Sequence, residues 1–269
     1  MLDFRPIGYV IGLLVATLGF TMLAPLASDL YAQNGHWTVF LEASIVTMLT
    51  GGLIALACSN GVEAGLSLRQ TFLLTSLVWL TLPLFGAIPF VIGATNANFT
   101  DAFFEAMSGL TTTGATVFSG LEALPDGIKL WRGMLQWLGG VGIIVVAMVF
   151  LPELRVGGMQ IFRTEGFETS GKILPRAGEI ASQISVIYVA LTITCALVYS
   201  AFGMGNFDAM VHAMTTVSTG GMANSDASFG FYGEAVHYSA SIFMILAALP
   251  FVRYVQLVAG TAEPILKDT

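Results

Sequence analysis

DAFFEAMSGLTTTGAT, residues 101–116, is too short and too polar at its end to cross a bilayer, yet it lies between two apolar segments long enough to do so. Its first half has the pattern of a short helix. Asp101 is placed as the N-cap, and Ala102, Phe103, Phe104, Ala106 and Met107 supply apolar faces. The second half is expected to leave the helix: Ser108-Gly109 weakens it, the β-branched Thr111, Thr112 and Thr113 favour extended backbone, and Gly114 opens dihedrals closed to other residues. Non-helical backbone at membrane depth is tolerated only where protein or a water-filled cavity satisfies its carbonyls, so this loop is expected to line an aqueous path.

The pattern returns as DAMVHAMTTVSTGGM at residues 208–222. Written beneath residues 101–115 without a gap, it pairs Asp101 with Asp208, Ala102 with Ala209, Ala106 with Ala213, Met107 with Met214, Thr112 with Thr219 and Gly114 with Gly221. Each copy follows one apolar span and precedes another, so the chain contains two units of helix, re-entrant hairpin and helix. Extended carbonyls ending in glycine, aimed by short helices, are the chemistry of a cation filter, where backbone oxygens replace an ion's hydration shell. The filter candidates are Thr111, Thr112, Thr113 and Gly114 in the first window and Ser218, Thr219, Gly220 and Gly221 in the second. Threonine hydroxyls there can add oxygens or bond locally to hold the loop. Glu105 and His212 occupy equivalent places in the two short helices; the histidine is either titratable or bonded to neighbouring backbone.

Thr111-Thr112-Thr113-Gly114-Ala115-Thr116 and Ser218-Thr219-Gly220-Gly221 resemble the filters of the TrkH/KtrB superfamily of bacterial potassium-uptake proteins. Trp137-Leu138-Gly139-Gly140-Val141-Gly142 and Leu174-Pro175-Arg176 are similar to the TrkH branch, and the resemblance runs from near the N-terminus to about Pro264. It implies a potassium ion bound at the eight filter residues, with Asp101 and Asp208 supporting the pore helices. It also implies a cytoplasmic, nucleotide-binding TrkA-like regulatory subunit and a place in the bacterial cytoplasmic (inner) membrane. TrkH-like proteins carry four pore units around one axis behind two extra helices. This chain matches the two extra helices and two of the units, which is the N-terminal half, so it is expected to be either a fragment or truncated product, or a half that pairs as a homodimer or with a separately encoded complementing half.

With 55% of residues apolar and 10% charged, the composition is that of a membrane protein. The net charge of −7 comes from acidic residues in loops and near span ends, and the few Lys and Arg are scattered singly, which excludes a nucleic-acid partner. Cys58 and Cys195 fall in apolar spans and read as small buried side chains, with no metal-ligand spacing around them. The polar loops offer no nucleophile and base pair, phosphate-binding glycine loop or metal cluster, so neither an enzyme nor an organic cofactor is expected. The N-terminal apolar stretch lacks a small-residue cleavage site and is read as a retained first helix.

The expected architecture is an all-α polytopic membrane protein of helix, re-entrant pore hairpin and helix repeats. Residues 1–70 form a two-helix extension, 71–151 a first pore unit, 152–181 a cytoplasmic connection able to dock a partner, 182–260 a second pore unit and 261–269 the start of a further connection or a tail. Six spans are placed at 7–26, 38–58, 71–92, 128–151, 184–202 and 237–259. The first is closed by Pro25 and a polar loop at 28–36; the third contains Pro83 and Pro89; the sixth is taken as continuous. Gly133, Gly139, Gly140 and Gly142 in the fourth mark either close packing or a flexible pore-lining helix, and Trp131 and Trp137 are either interfacial anchors or pore-helix supports. With the N-terminus inside, Arg5, Arg69, Arg155, Arg163, Lys172, Arg176, Arg253 and Lys267 lie on the cytoplasmic side and only Lys129 and Arg132 outside. Both hairpins then enter from the external face. Two other functions fit less of the pattern: a secondary cation transporter with broken helices, whose inverted repeat this parallel one is not, and a non-conducting half-subunit that needs a partner.

Overall fold

Residues 3–60, 66–154 and 173–258 are described by a computed structural model, and every regular element among them is helical. In chain order these are α1 (Arg5–Thr21), α2 (Leu23–Ala32), α3 (Trp37–Cys58), α4 (Leu68–Gly86), α5 (Ile88–Ile92), α6 (Phe99–Leu110), α7 (Asp126–Leu154), α8 (Ile173–Ala201), α9 (Asn206–Val217), α10 (Glu234–Ala248) and α11 (Phe251–Val258). Among the described residues, Arg5–Ala32, Trp37–Cys58, Arg69–Ile92 and Ala181–Ala201 are long and apolar enough to cross a membrane. Their outward surfaces stay apolar, with Leu56 73% and Leu197 66% exposed. Helices apolar on all sides belong to a lipid environment, and the chain is an all-α, multi-spanning membrane protein.

Small residues bring α1 and α3 together. A Cβ on Gly12 would strike the Ala55 and Gly51 backbone, one on Gly51 would strike Ala16 and Gly12, and Ser44 Oγ donates to Gly19 O at 2.8 Å. In lipid, such close approach supplies the attraction that the hydrophobic effect supplies in water. α7 is the hub of the molecule, packing on α2, α6, α8 and α9. Trp131 is fully buried and donates to Gly86 O at 2.9 Å, and Trp137 donates to Thr192 Oγ1 at 3.0 Å, so both are internal supports and not interfacial anchors. Gly139 meets the Leu110 backbone and Gly140 meets Ser218, whereas Gly142 faces open space.

Five boundaries differ from the sequence reading. Pro25 does not end the first span: it sits in the first turn of α2, where its missing N–H removes no essential bond, and the helix stops only at left-handed Gln33 (φ 52°). Residues 28–32 are therefore helical, with Asp29 fully buried. The sixth span is broken, because Pro250 drives Leu249 into extended backbone (ψ 146°) between α10 and α11. Asp101 is not the N-cap of α6; Asn98 is, its Oδ1 accepting the Asp101 N–H at 2.9 Å while Asp101 Oδ2 accepts from Asn98 Nδ2 at 2.8 Å. Ser108-Gly109 does not end α6 either, since the Ser108 hydroxyl is drawn away to Ala115 O (2.6 Å) and Gly109 packs on Leu135. The connection at 152–181 is shorter than expected, with α7 reaching Leu154 and α8 starting at Ile173; the docking segment between them, like residues 261–269, lies outside the described residues.

Candidate functional site

α6 and α9 are each 12 residues long, and the chain leaves both by the same backbone path, 107 positions apart. Thr111 N–H donates to Met107 O, Thr112 N–H to Gly109 O and Thr113 N–H to Ser108 O, at 2.9, 2.8 and 2.9 Å. Ser218, Thr219 and Gly220 repeat this onto Met214, Thr216 and Thr215 at 3.1, 2.9 and 3.0 Å. Thr112 and Thr219 are left-handed at φ 54° and 57°, and Gly114 and Gly221 at φ 78° and 76°. The threonines are thus not extended at the start of the loop. Thr111 stays near-helical (φ −82°, ψ 3°) and Thr112 reverses the chain, a conformation that costs a β-branched residue about 1–2 kcal/mol. Thr111 Oγ1 donates to Met107 O and pairs with Thr113 Oγ1, both at 2.8 Å, so these hydroxyls brace the loop locally. Each short helix presents its carbonyl end, with partial negative charge, to its loop.

Behind the loops, Glu105 and His212 do the same work with different chemistry. Glu105 Oε2 accepts the Val117 N–H at 3.0 Å, and His212 Nε2 faces the equivalent Asn224 N–H at 3.5 Å. His212 Nδ1 lies 2.8 Å from Asp208 O, so that nitrogen carries the proton and the ring is a backbone brace. Both side chains are fully buried. Glu105 also receives Arg132 Nε at 2.8 Å and the Thr116 hydroxyl at 2.8 Å. Arg132, placed by sequence among the outer charges, is in fact buried. Asp101 and Asp208 stand in the first turns of α6 and α9, at the far ends of the helices from the loops, and Asp208 Oδ1 accepts from Asn224 Nδ2 at 2.7 Å.

The two loops touch. The Gly220 carbonyl lies so close to the Gly114 Cα that any Cβ at Gly114 would overlap it. A cavity of about 280 Å³ opens between the hairpins, lined by Gly114, Thr116, Arg132, Gly221, Met222 and Asp226 among others. At its mouth two carboxylates exchange partners across the repeats. Asp226 accepts from Gly120 N–H (2.7 Å) and Leu121 N–H (3.1 Å), and Glu122 accepts from the Ser225 hydroxyl (2.6 Å) and the Asp226 N–H (2.9 Å). These contacts, and Gln136 with its Oε1 on the Met222 N–H at 3.1 Å, were not read from the sequence. A lone arginine within an apolar helix, and a glutamate within a buried short one, were the available signals.

The family model for TrkH, described as cation transport protein, matches residues 36–266. Over 265 residues the chain is 41% identical to the Trk system potassium uptake protein TrkI of Halomonas elongata, covering 98% of this chain and 54% of that protein. It is 39% identical to the Trk system potassium uptake protein TrkH of Escherichia coli, covering 96% and 54%. The crystal structure of the potassium transporter TrkH from Vibrio parahaemolyticus superposes with a TM-score of 0.87 at 35% identity, over 98% of this chain and 54% of that one. The chain spans about half the length of the curated relatives it matches.

Proposed function

The chain belongs to the TrkH family of cation transport proteins, and from that premise we propose that it forms part of the wall of a potassium-selective uptake pore. Carrying this reading is the pair of identically traced loops, 111–114 and 218–221, that meet at Gly114 and Gly220. A potassium ion leaving water needs several oxygens at once, and the backbone carbonyls of Thr111, Thr112, Thr113, Gly114, Ser218, Thr219, Gly220 and Gly221 supply them from two sides, with the dipoles of α6 and α9 behind. Residues 71–151 and 182–260 are the two pore units and 1–70 the extension. Asp101 and Asp208 hold the entry turns of the pore helices. Two further pore units complete the ring, a nucleotide-binding TrkA-like subunit docks on residues 152–181, and the chain lies in the cytoplasmic membrane with its N-terminus inside.

The test replaces the matching 54% of the Vibrio parahaemolyticus protein with this chain and asks whether the chimera restores growth of a potassium-uptake-deficient bacterium at low potassium. Restored growth with rubidium uptake preferred over sodium supports the reading. A chimera that reaches the membrane and carries neither ion overturns it.

A further inference from the structure

Gln136 projects from the face of α7 that also carries Arg132, Gly139 and Gly140, at the helical spacing that stacks side chains in one row. That row runs along both hairpins: Arg132 reaches Ala223 O, Gly139 meets Leu110, and Gly140 meets Ser218. Gln136 stands where the two loops touch. It is fully buried, its Oε1 accepts the Met222 N–H immediately beyond the second loop, and a Cβ built on Gly220 would overlap its amide carbon and nitrogen. A Cβ built on Gly114 would lie 3.4 Å from the same Nε2. The Met222 N–H fixes which end of the amide is oxygen, because the reverse assignment would set two donors against each other. Nε2 is then left without a partner, one of three such buried side-chain atoms among the described residues.

We propose that Gln136 is a positioning residue for ion selectivity: a strut between α7 and the Gly114–Gly220 junction that holds the loops in register and fixes the size of the carbonyl cage. This rests on reading the loops as a filter. A carbonyl cage discriminates only while its size or dipole density is maintained, and an uncharged amide that grips one loop and fills the space behind the other maintains both without adding a competing charge. Without the strut the second loop shifts into the space that Gln136 fills, the cage loses its fixed size, and sodium gains on potassium.

The test compares Gln136→Met, which keeps the length and removes both polar ends, with Gln136→Glu, which keeps the acceptor for Met222. Hydrogen exchange at the Met222 amide is read in the full chain in lipid nanodiscs, and the potassium-to-sodium permeability ratio in liposomes holding the chimera described above. Expected for Gln136→Met are exchange about tenfold faster at Met222, the equivalent of one lost hydrogen bond, and a ratio about tenfold lower. Gln136→Glu keeps the slow exchange. An unchanged ratio in Gln136→Met overturns the proposal even if exchange speeds up, as does equally fast Met222 exchange in Gln136→Glu. If the unmutated chimera passes no potassium, the filter reading fails by itself. The exchange arm still decides the strut: faster Met222 exchange in Gln136→Met upholds it, and unchanged exchange removes it.

Discussion

Arg132 Nε lies 2.8 Å from Glu105 Oε1 with both side chains buried, and the same guanidinium donates through Nη1 to Ala223 O at 2.7 Å and through Nη2 to Thr116 Oγ1 at 3.2 Å. One side chain on α7 therefore holds the first short helix, the strand of chain leaving the first loop and the chain leaving the second. Removing only one member of a buried pair strands a charge, so Arg132→Gln is expected to destabilise the chain by about 3–5 kcal/mol. Replacing both as Glu105→Leu with Arg132→Met should recover a large part of that loss. Denaturant unfolding of the nanodisc protein measures both, and a double variant no more stable than Arg132→Gln would contradict the assignment.

Thr112 and Thr219 are β-branched residues held at positive φ. Thr112→Gly relieves that strain and is expected to raise stability by about 1 kcal/mol, net of the extra freedom glycine gives the unfolded chain. A drop in stability would mean that the Thr112 side chain makes a contact worth more than the strain.

Two glycines of α7, three positions apart, should behave in opposite ways. Gly139→Ala forces a methyl into the Leu110 carbonyl and is expected to destabilise by roughly 1–3 kcal/mol as α6 is pushed away. Gly142→Ala meets nothing within 4 Å among the described residues and should be neutral or stabilising by up to about 1 kcal/mol, the gain of alanine over glycine in a helix. Melting temperatures of the two variants decide it.

Glu122, exposed in the loop ahead of α7, has its carboxyl held below the usual glutamate range, first by the Ser225 hydroxyl and then by backbone N–H groups including that of Asp226. The folded state binds this proton less tightly than the unfolded chain does. Its contribution is therefore complete above the ordinary glutamate range and is lost as pH falls through the depressed folded value. Wild type should be more stable than Glu122→Gln at neutral pH, with the gap closing in acid. A gap that is flat with pH would show that the carboxylate charge plays no part in the clasp.

The helical, membrane-spanning character and the family were legible because both rest on local pattern: apolar runs of about 20 residues, and the motifs at 111–116 and 137–142. Boundaries slipped where two residues competed for one role. Asn98 and Asp101 are both good caps three positions apart, and Pro25 could end a helix or sit harmlessly in a first turn. Pro250 was a readable break hidden in an apolar run. The ties between repeats were not legible, since Arg132 to Ala223, Gln136 to Met222 and Asp226 to Gly120 join residues 91, 86 and 106 positions apart that only packing brings together.

The central claim is that loops 111–114 and 218–221 present their carbonyls to a dehydrated cation. Crystals of the chimera grown in rubidium and measured at the rubidium absorption edge test it most directly. Anomalous peaks between the Thr111–Gly114 and Ser218–Gly221 backbones, displaced by potassium and not by sodium, are the expected result; peaks elsewhere in the pore with none at these loops would contradict it.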